Sequence, residues 1–128
     1  MTPEAALRAR LVADPGVAAL VGPRVYPVLL PQAAPLPAIT YQRVSSLRDH
    51  TLEGPSGLAR ARVQIDAWAE SYGEAKAVAD AVRRALAHFT TDTVQAALIA
   101  SDRDLYEDDV KTYRVSSDWL VWYGEGKE

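Results

Sequence analysis

The sequence predicts an α+β fold: a mainly antiparallel sheet of about four to five strands with two helices packed on one face. Three observations carry this reading. Residues 60–86, RARVQIDAWAESYGEAKAVADAVRRAL, change hydrophobic period midway, from two residues to about 3.6. Residues 112–123, TYRVSSDWLVWY, alternate in the manner of a strand. The remaining strand-like segments follow one another through turns rather than helices, which makes neighbours antiparallel.

Thr2, Pro3 and Glu4 open the first helix, with a hydroxyl cap, a ring that pre-sets φ and an acid at the positive helix end. Ala6, Leu7, Ala9, Leu11 and Val12 give it a modest apolar stripe, and Asp14, Pro15 and Gly16 break it. A helical turn, a turn at Gly22-Pro23 and a brief strand around Val25 and Tyr26 follow. Four prolines between Pro27 and Pro37 predict an extended connector. AITYQRVS, residues 38–45, reads as a second strand, and residues 47–58, with Gly54, Pro55, Ser56 and Gly57, as a long loop between antiparallel strands.

Along the third strand Ala61, Val63, Ile65, Ala67 and Ala69 share the core face, and Arg60, Arg62, Gln64, Asp66 and Trp68 the other. Ser71 caps the second helix, whose Ala75, Val78, Ala79, Val82, Ala85, Leu86 and Phe89 form one buried stripe. Asp80 and Arg84 are expected to pair on its solvated side. Residues 94–100 form a fourth strand, followed by an acidic turn. In the last strand Tyr113, Val115, Ser117, Trp119, Val121 and Tyr123 oppose Arg114, Ser116, Asp118, Leu120 and Trp122. A length of 128 residues fits one domain spanning 1–128.

The chain is 48% hydrophobic and 24% charged, an ordinary globular composition. Its net charge of −3, from 17 acidic and 14 basic residues with no long block of either sign, disfavours nucleic acid as the main partner. Cysteine is absent, which excludes disulfides and thiolate metal sites. MTPEAALRAR lacks the pattern of a signal peptide and no stretch approaches ~18 consecutive apolar residues, so synthesis in a cytoplasm and no membrane contact are expected.

No motif for catalysis or a cofactor stands out. His50 and His88 lie in no metal-ligand or Ser/His/Asp spacing; one falls in the 47–58 loop and the other at a helix end, where a cation suits the dipole. Asp102, Asp104, Glu107, Asp108 and Asp109 suggest calcium, but an EF-hand loop starting at Asp102 would need glycine where Glu107 stands. Phosphate-cradling glycine motifs are missing. Asp66 with Asp118 is the carboxylate pair an enzyme would use, and Arg62 or Arg114 gives each a simple ion-pair explanation. We expect no enzyme, no metal and no cofactor.

Aromatic residues on the less apolar sheet face are more informative. Trp68 and Trp122 stand there with Arg62, Gln64 and Asp66 between polar and apolar neighbours. Either helices or the N-terminal segment cover this face within one subunit, or it is a subunit contact. A few aromatics with their neighbours suffice for the roughly 800 Å² per partner of a standard interface.

ADPGVAALVGPRVYPVLLPQ, then PLPAITYQRVS, a glycine-containing loop, RVQIDAWAESYGEAKAVADAVRRAL and a closing YRVSSDWLVWY resemble the tail-completion or tail-terminator proteins of long-tailed phages, found also in prophages and gene transfer agents. The resemblance runs from about Pro3 to Tyr123 and rests on the order and spacing of segments. It implies a structural virion protein that caps the head-proximal end of the tail tube, ends tube polymerisation and joins tail to head. Such proteins form a ring, typically of six subunits, so the implied partners are other copies, the tail tube protein and the head connector or stopper. DNA would pass through the lumen without specific binding. Arg62, Gln64, Asp66, Trp68 and Trp122 are then candidate interface residues, together with His50, Leu52 and Glu53 of the 47–58 loop, which would face the lumen or the tube. The alternative is a small dimeric ligand-binding or regulatory α+β domain, which would need a pocket with convergent polar groups.

Overall fold

The structure, a computed structural model, describes residues 2–52 and 54–124. The Thr2 hydroxyl accepts from the Ala5 amide at 3.2 Å and starts α1 (Pro3–Ala13), with Pro3 and Glu4 in its first turn. Asp14 ends α1, and its carboxylate accepts from the Val17 amide at 3.1 Å to open α2 (Pro15–Val21). The residues that break the first helix therefore cap another, and the expected single turn is a third, short helix. Gly22, at φ 56°, closes α2 in a backbone region that costs glycine little.

Five strands form one sheet in the order β1-β2-β3-β5-β4: β1 (Val25–Pro27), β2 (Ala38–Thr51), β3 (Gly54–Ala69), β4 (Val94–Glu107) and β5 (Thr112–Gly124). β1 and β2 are parallel, with Val25 opposite Ile39, and the other pairings are antiparallel. The parallel pair explains why the connector is not extended. The chain must return to the start of β1 before β2 begins, so it turns at Val28 (φ 65°) and at Ala33 (φ 61°), where the Ala34 amide donates to the Pro31 carbonyl at 3.1 Å.

Two further expectations are corrected. Residues 47–58 are not a flexible loop: β2 and β3 continue as a hairpin, with Leu47 opposite Arg60, Arg48 opposite Ala59 and Thr51 opposite Gly54. The glycines serve the hairpin from within, since Gly57 adopts φ 84° where the register slips between Arg48 and His50. The acidic run is not mainly a turn either. β4 extends through Asp102 and Asp104 to Glu107, and the turn comes only at Asp108 to Lys111. An edge strand tolerates such residues because its side chains reach water or cations rather than a core.

Ser71 accepts from the Glu74 amide at 3.2 Å and caps α3 (Tyr72–Leu86). Its Ala75, Val78, Val82, Ala85 and Leu86 are buried as the stripe requires; Ala81 joins them, while Ala79 is only partly buried. The Asp80 carboxylate pairs with Arg83, not Arg84. α3 ends at Leu86 and His88 lies beyond it at φ 58°.

The three helices lie on one side of the sheet, where Ala61, Val63, Ile65, Ala67 and Ala69 of β3 and Val115, Trp119, Val121 and Tyr123 of β5 are buried against Leu7, Leu11, Val17, Val21 and α3. Arg43 of β2 pairs with Glu4 at 2.8 Å, and Arg10 Nε donates to the Ala85 carbonyl at 2.8 Å, so α1 is tied to the sheet at one end and to α3 at the other. Ile65, 1% exposed at the centre of this layer, offers the direct test of the core. Ile65→Ala should lower the unfolding free energy by about 2–5 kcal/mol in urea titration with an unchanged slope; a loss under about 1 kcal/mol would contradict the packing described.

Candidate functional site

The face of the sheet opposite the helices is the candidate site. The register sets its side chains in cross-strand rungs. Leu47, Arg60, Trp122 and Ala96 form one; Ser45, Arg62, Leu120 and Leu98 the next; Gln42, Gln64, Asp118 and Ser101 the third. Thr40, Asp66, Ser116 and Arg103 follow, then Ala38, Trp68, Arg114 and Leu105. Every interface candidate named on β3 and β5 therefore lies on one surface, because residues two apart on a strand share a face.

The end near Trp68 is tightly knit. Asp66 is only 5% exposed. It accepts from Arg114 Nη1 at 3.1 Å and from Gln64 Nε2 at 2.9 Å. Arg114 also pairs with Glu107, and its guanidinium lies 5.0 Å from the centre of the Trp68 ring. The Trp68 indole donates to the Thr40 hydroxyl at 2.9 Å. Asp118, the other half of the imagined carboxylate pair, is held by Arg62 at 3.4 Å and lies near Arg103 at 3.9 Å. Asp66 and Asp118 are thus each committed to an arginine, as their simple ion-pair explanation requires.

The connector covers part of this face. Residues 28–34 and Leu36 line a cleft of about 780 Å³ with Gln42, Gln64, Asp66, Trp68 and Arg114, closed at the far rim by Glu107, Asp109 and Val110. At the other end, Trp122 is half-buried with the Arg60 guanidinium 6.0 Å from its ring centre, and Arg62, Leu120 and Leu98 continue the surface in reach of solvent. The connector therefore flanks the Trp68 end, and among the described residues no helix packs on the Trp122 end. Leu52, at the hairpin turn, is fully exposed. His50 pairs with Pro55 through the backbone, its side chain lying outside the described residues, as does Glu53.

The sequence did not single out Glu107, Thr40 or the connector residues as parts of this surface. Only the register, which places Arg114 beside Trp68 and Thr40 beside Asp66, brings the first two in. On the opposite face the acidic residues clamp α3: Lys76 Nζ lies 2.8 Å from Asp104, the Tyr72 hydroxyl donates to Asp104 at 2.7 Å, and Arg83 lies 3.7 Å from Asp102. Among the described residues no cluster of three or more His, Cys, Asp or Glu could hold a metal, and no helix is long and apolar enough to cross a membrane.

A family model described as tail completion protein gp17 matches residues 5–124. The chain belongs to the tail completion protein gp17 family. No curated protein matches it. Among solved structures, a chain from the "Virion of native gene transfer agent (GTA) particle" is similar, with a TM-score of 0.79 and 20% identity over 95% of this chain and 94% of that one. At that identity the likeness concerns the fold. Membership in the tail completion family gives the chain a structural role in a phage-type tail, and the uncovered sheet face is to be understood in that setting.

Two predictions follow from the side-chain geometry of this tail completion protein. Arg114→Ala leaves the Asp66 carboxylate buried without its cation and should cost about 2 kcal/mol of stability; equal stability in thermal and urea unfolding would show that Asp66 needs no such partner. The second concerns pH. The hydrogen bond from Lys76, then that from Tyr72, holds the Asp104 carboxyl below its ordinary value, and the same bond to Asp104 raises Lys76. Stability from the lowered carboxyl is present above 3.8 and lost as pH falls through its folded value; that from the raised amine is present below 10.5 and lost as pH rises through its own. Asp104→Asn should therefore be less stable than the parent near pH 7, with a deficit that shrinks in high salt and vanishes near pH 2. A deficit of the same size at pH 2 would contradict the assignment.

Proposed function

We propose that this chain forms a ring of six subunits at the head-proximal end of a tail tube, where it ends tube polymerisation and offers a surface to the head connector. The family match over residues 5–124 carries the reading. The geometry supports it: the helices cover one sheet face, while the other keeps Arg62, Gln64, Asp66, Trp68 and Trp122 in a mixed polar and aromatic surface suited to a neighbouring subunit or tail partner. The exposed Leu52 marks the hairpin end that this role turns toward the lumen, the tube or the connector, and His50 and Glu53 are proposed to contribute to the same contact. A net acidic ring lets DNA pass without tight binding. The working place is the virion, after synthesis in the host cytoplasm, and neither catalysis nor a cofactor enters the role.

The cleft beside the connector gives a dimeric ligand-binding domain a foothold. Its polar groups, however, mainly engage one another: Gln64 and Arg114 bind Asp66, and Arg114 binds Glu107. That pattern suits a packing surface better than a pocket waiting for a ligand.

Deleting the gene in the parent particle and imaging the lysate by electron microscopy tests the proposal. We expect filled heads lying apart from tails, and tails of irregular or excessive length. Joined particles with tails of normal length would overturn it.

A further inference from the structure

The sheet has two open edges of different kinds. On one side β1 reaches only as far as Tyr41, because Pro27 ends it and the chain turns away at Val28. Among the described residues, no strand pairs with residues 42–51 of β2 on that side. On the other side β4, 14 residues long, pairs only with β5. Each edge presents a row of backbone N–H and C=O groups, a ready template for another strand.

The strand directions make the two edges partners. β2 and β5 run one way, and β3 and β4 the other. A second copy, rotated about an axis inclined to the strands so that its sheet is staggered along β4 as in a sheared barrel, would set its β2 beside β4 and antiparallel to it, so the alternation continues across the junction. Because the edges differ, the contact is heterologous, the kind that closes into a ring when its rotation divides a full turn.

The side chains agree. Charge does not oppose the contact, because Asp102, Asp104 and Glu107 of β4 are balanced within the subunit by Arg83, Lys76 and Arg114, and Arg43 of β2 by Glu4. Each edge also exposes apolar residues: Val44 and Leu47 on β2, Leu98 and Ile99 on β4. Register slips between Arg43 and Ser45 and between Arg48 and His50 interrupt β2, and two, between Val94 and Ala96 and between Ile99 and Ser101, interrupt β4. They leave regular stretches of 45–48 and 101–107 and blunt the edges against indiscriminate pairing.

We infer that residues 45–48 of one copy pair antiparallel with residues 101–107 of the next, joining the sheets of neighbouring subunits edge to edge. This rests on the ring proposed above. Ser45 and Leu47 of β2, and Ser101, Arg103 and Leu105 of β4, all point to the uncovered face, so cysteines there approach within disulfide reach in the right register. The chain has no cysteine of its own.

The test introduces Ser45→Cys or Leu47→Cys together with Ser101→Cys, Arg103→Cys or Leu105→Cys, and oxidises assembled particles carrying each pair. At least one pair should give a ladder of covalent multimers ending at the ring size on a non-reducing gel, while the single variants stop at dimers. Particles with a ring visible at the tail end and no ladder from any pair would overturn the edge contact and leave the ring standing. Particles with no ring would overturn both.

Discussion

The structure depends on the alternation of side chains along β3. Its Ala61, Val63, Ile65, Ala67 and Ala69 are all buried beneath the helices, and the intervening residues stand on the face that no helix covers. A one-residue slip of this strand would exchange the two faces, sending Arg62 and Asp66 into the core and Val63 and Ile65 into water. Register is thus fixed by burial, and β2 and β5, paired on either side, inherit it. The cross-strand rungs of Arg62, Gln64, Asp66 and Trp68 with Leu120, Asp118, Ser116 and Arg114 follow from that single constraint.

The two faces are held by different physics. Beneath the helices the packing is mainly aliphatic, drawn from many small and branched residues with Trp119, Tyr123 and Phe89 among them, and its stability comes from area removed from water. On the other face, charges are balanced locally: Asp66 against Arg114, Asp118 against Arg62 and Arg103. A surface satisfied in this way can remain exposed before assembly and still offer Trp122, Leu120 and Leu98 to a partner.

Much of this was legible in the sequence. The stripe of α3 and the alternation of β3 and β5 are local patterns, and the chain shows them plainly. What was missed depends on neighbours distant in sequence. Asp102 and Asp104 resemble a solvated turn until Lys76 and Arg83 of α3 are placed beside them. Gly54, Pro55, Ser56 and Gly57 have the chemistry of a loop, yet β2 and β3 pair on through them to a turn at Leu52. The prolines of residues 27–37 gave stiffness but not direction; the parallel pairing of β1 with β2 makes that segment fold back beside Trp68. The face assigned to contacts was found from alternation alone, whereas its partial cover by the connector was not.

The central claim is that this chain sits as a ring at the junction of tail and head. Cryo-electron microscopy of that junction in the parent particle tests it most directly, by fitting the chain to the density. The account predicts a six-fold ring between the last tube layer and the connector, with the helices on one side of a sheet whose other face meets neighbouring subunits or tail partners. Density for this chain elsewhere in the particle, or as isolated copies without a ring, would contradict it.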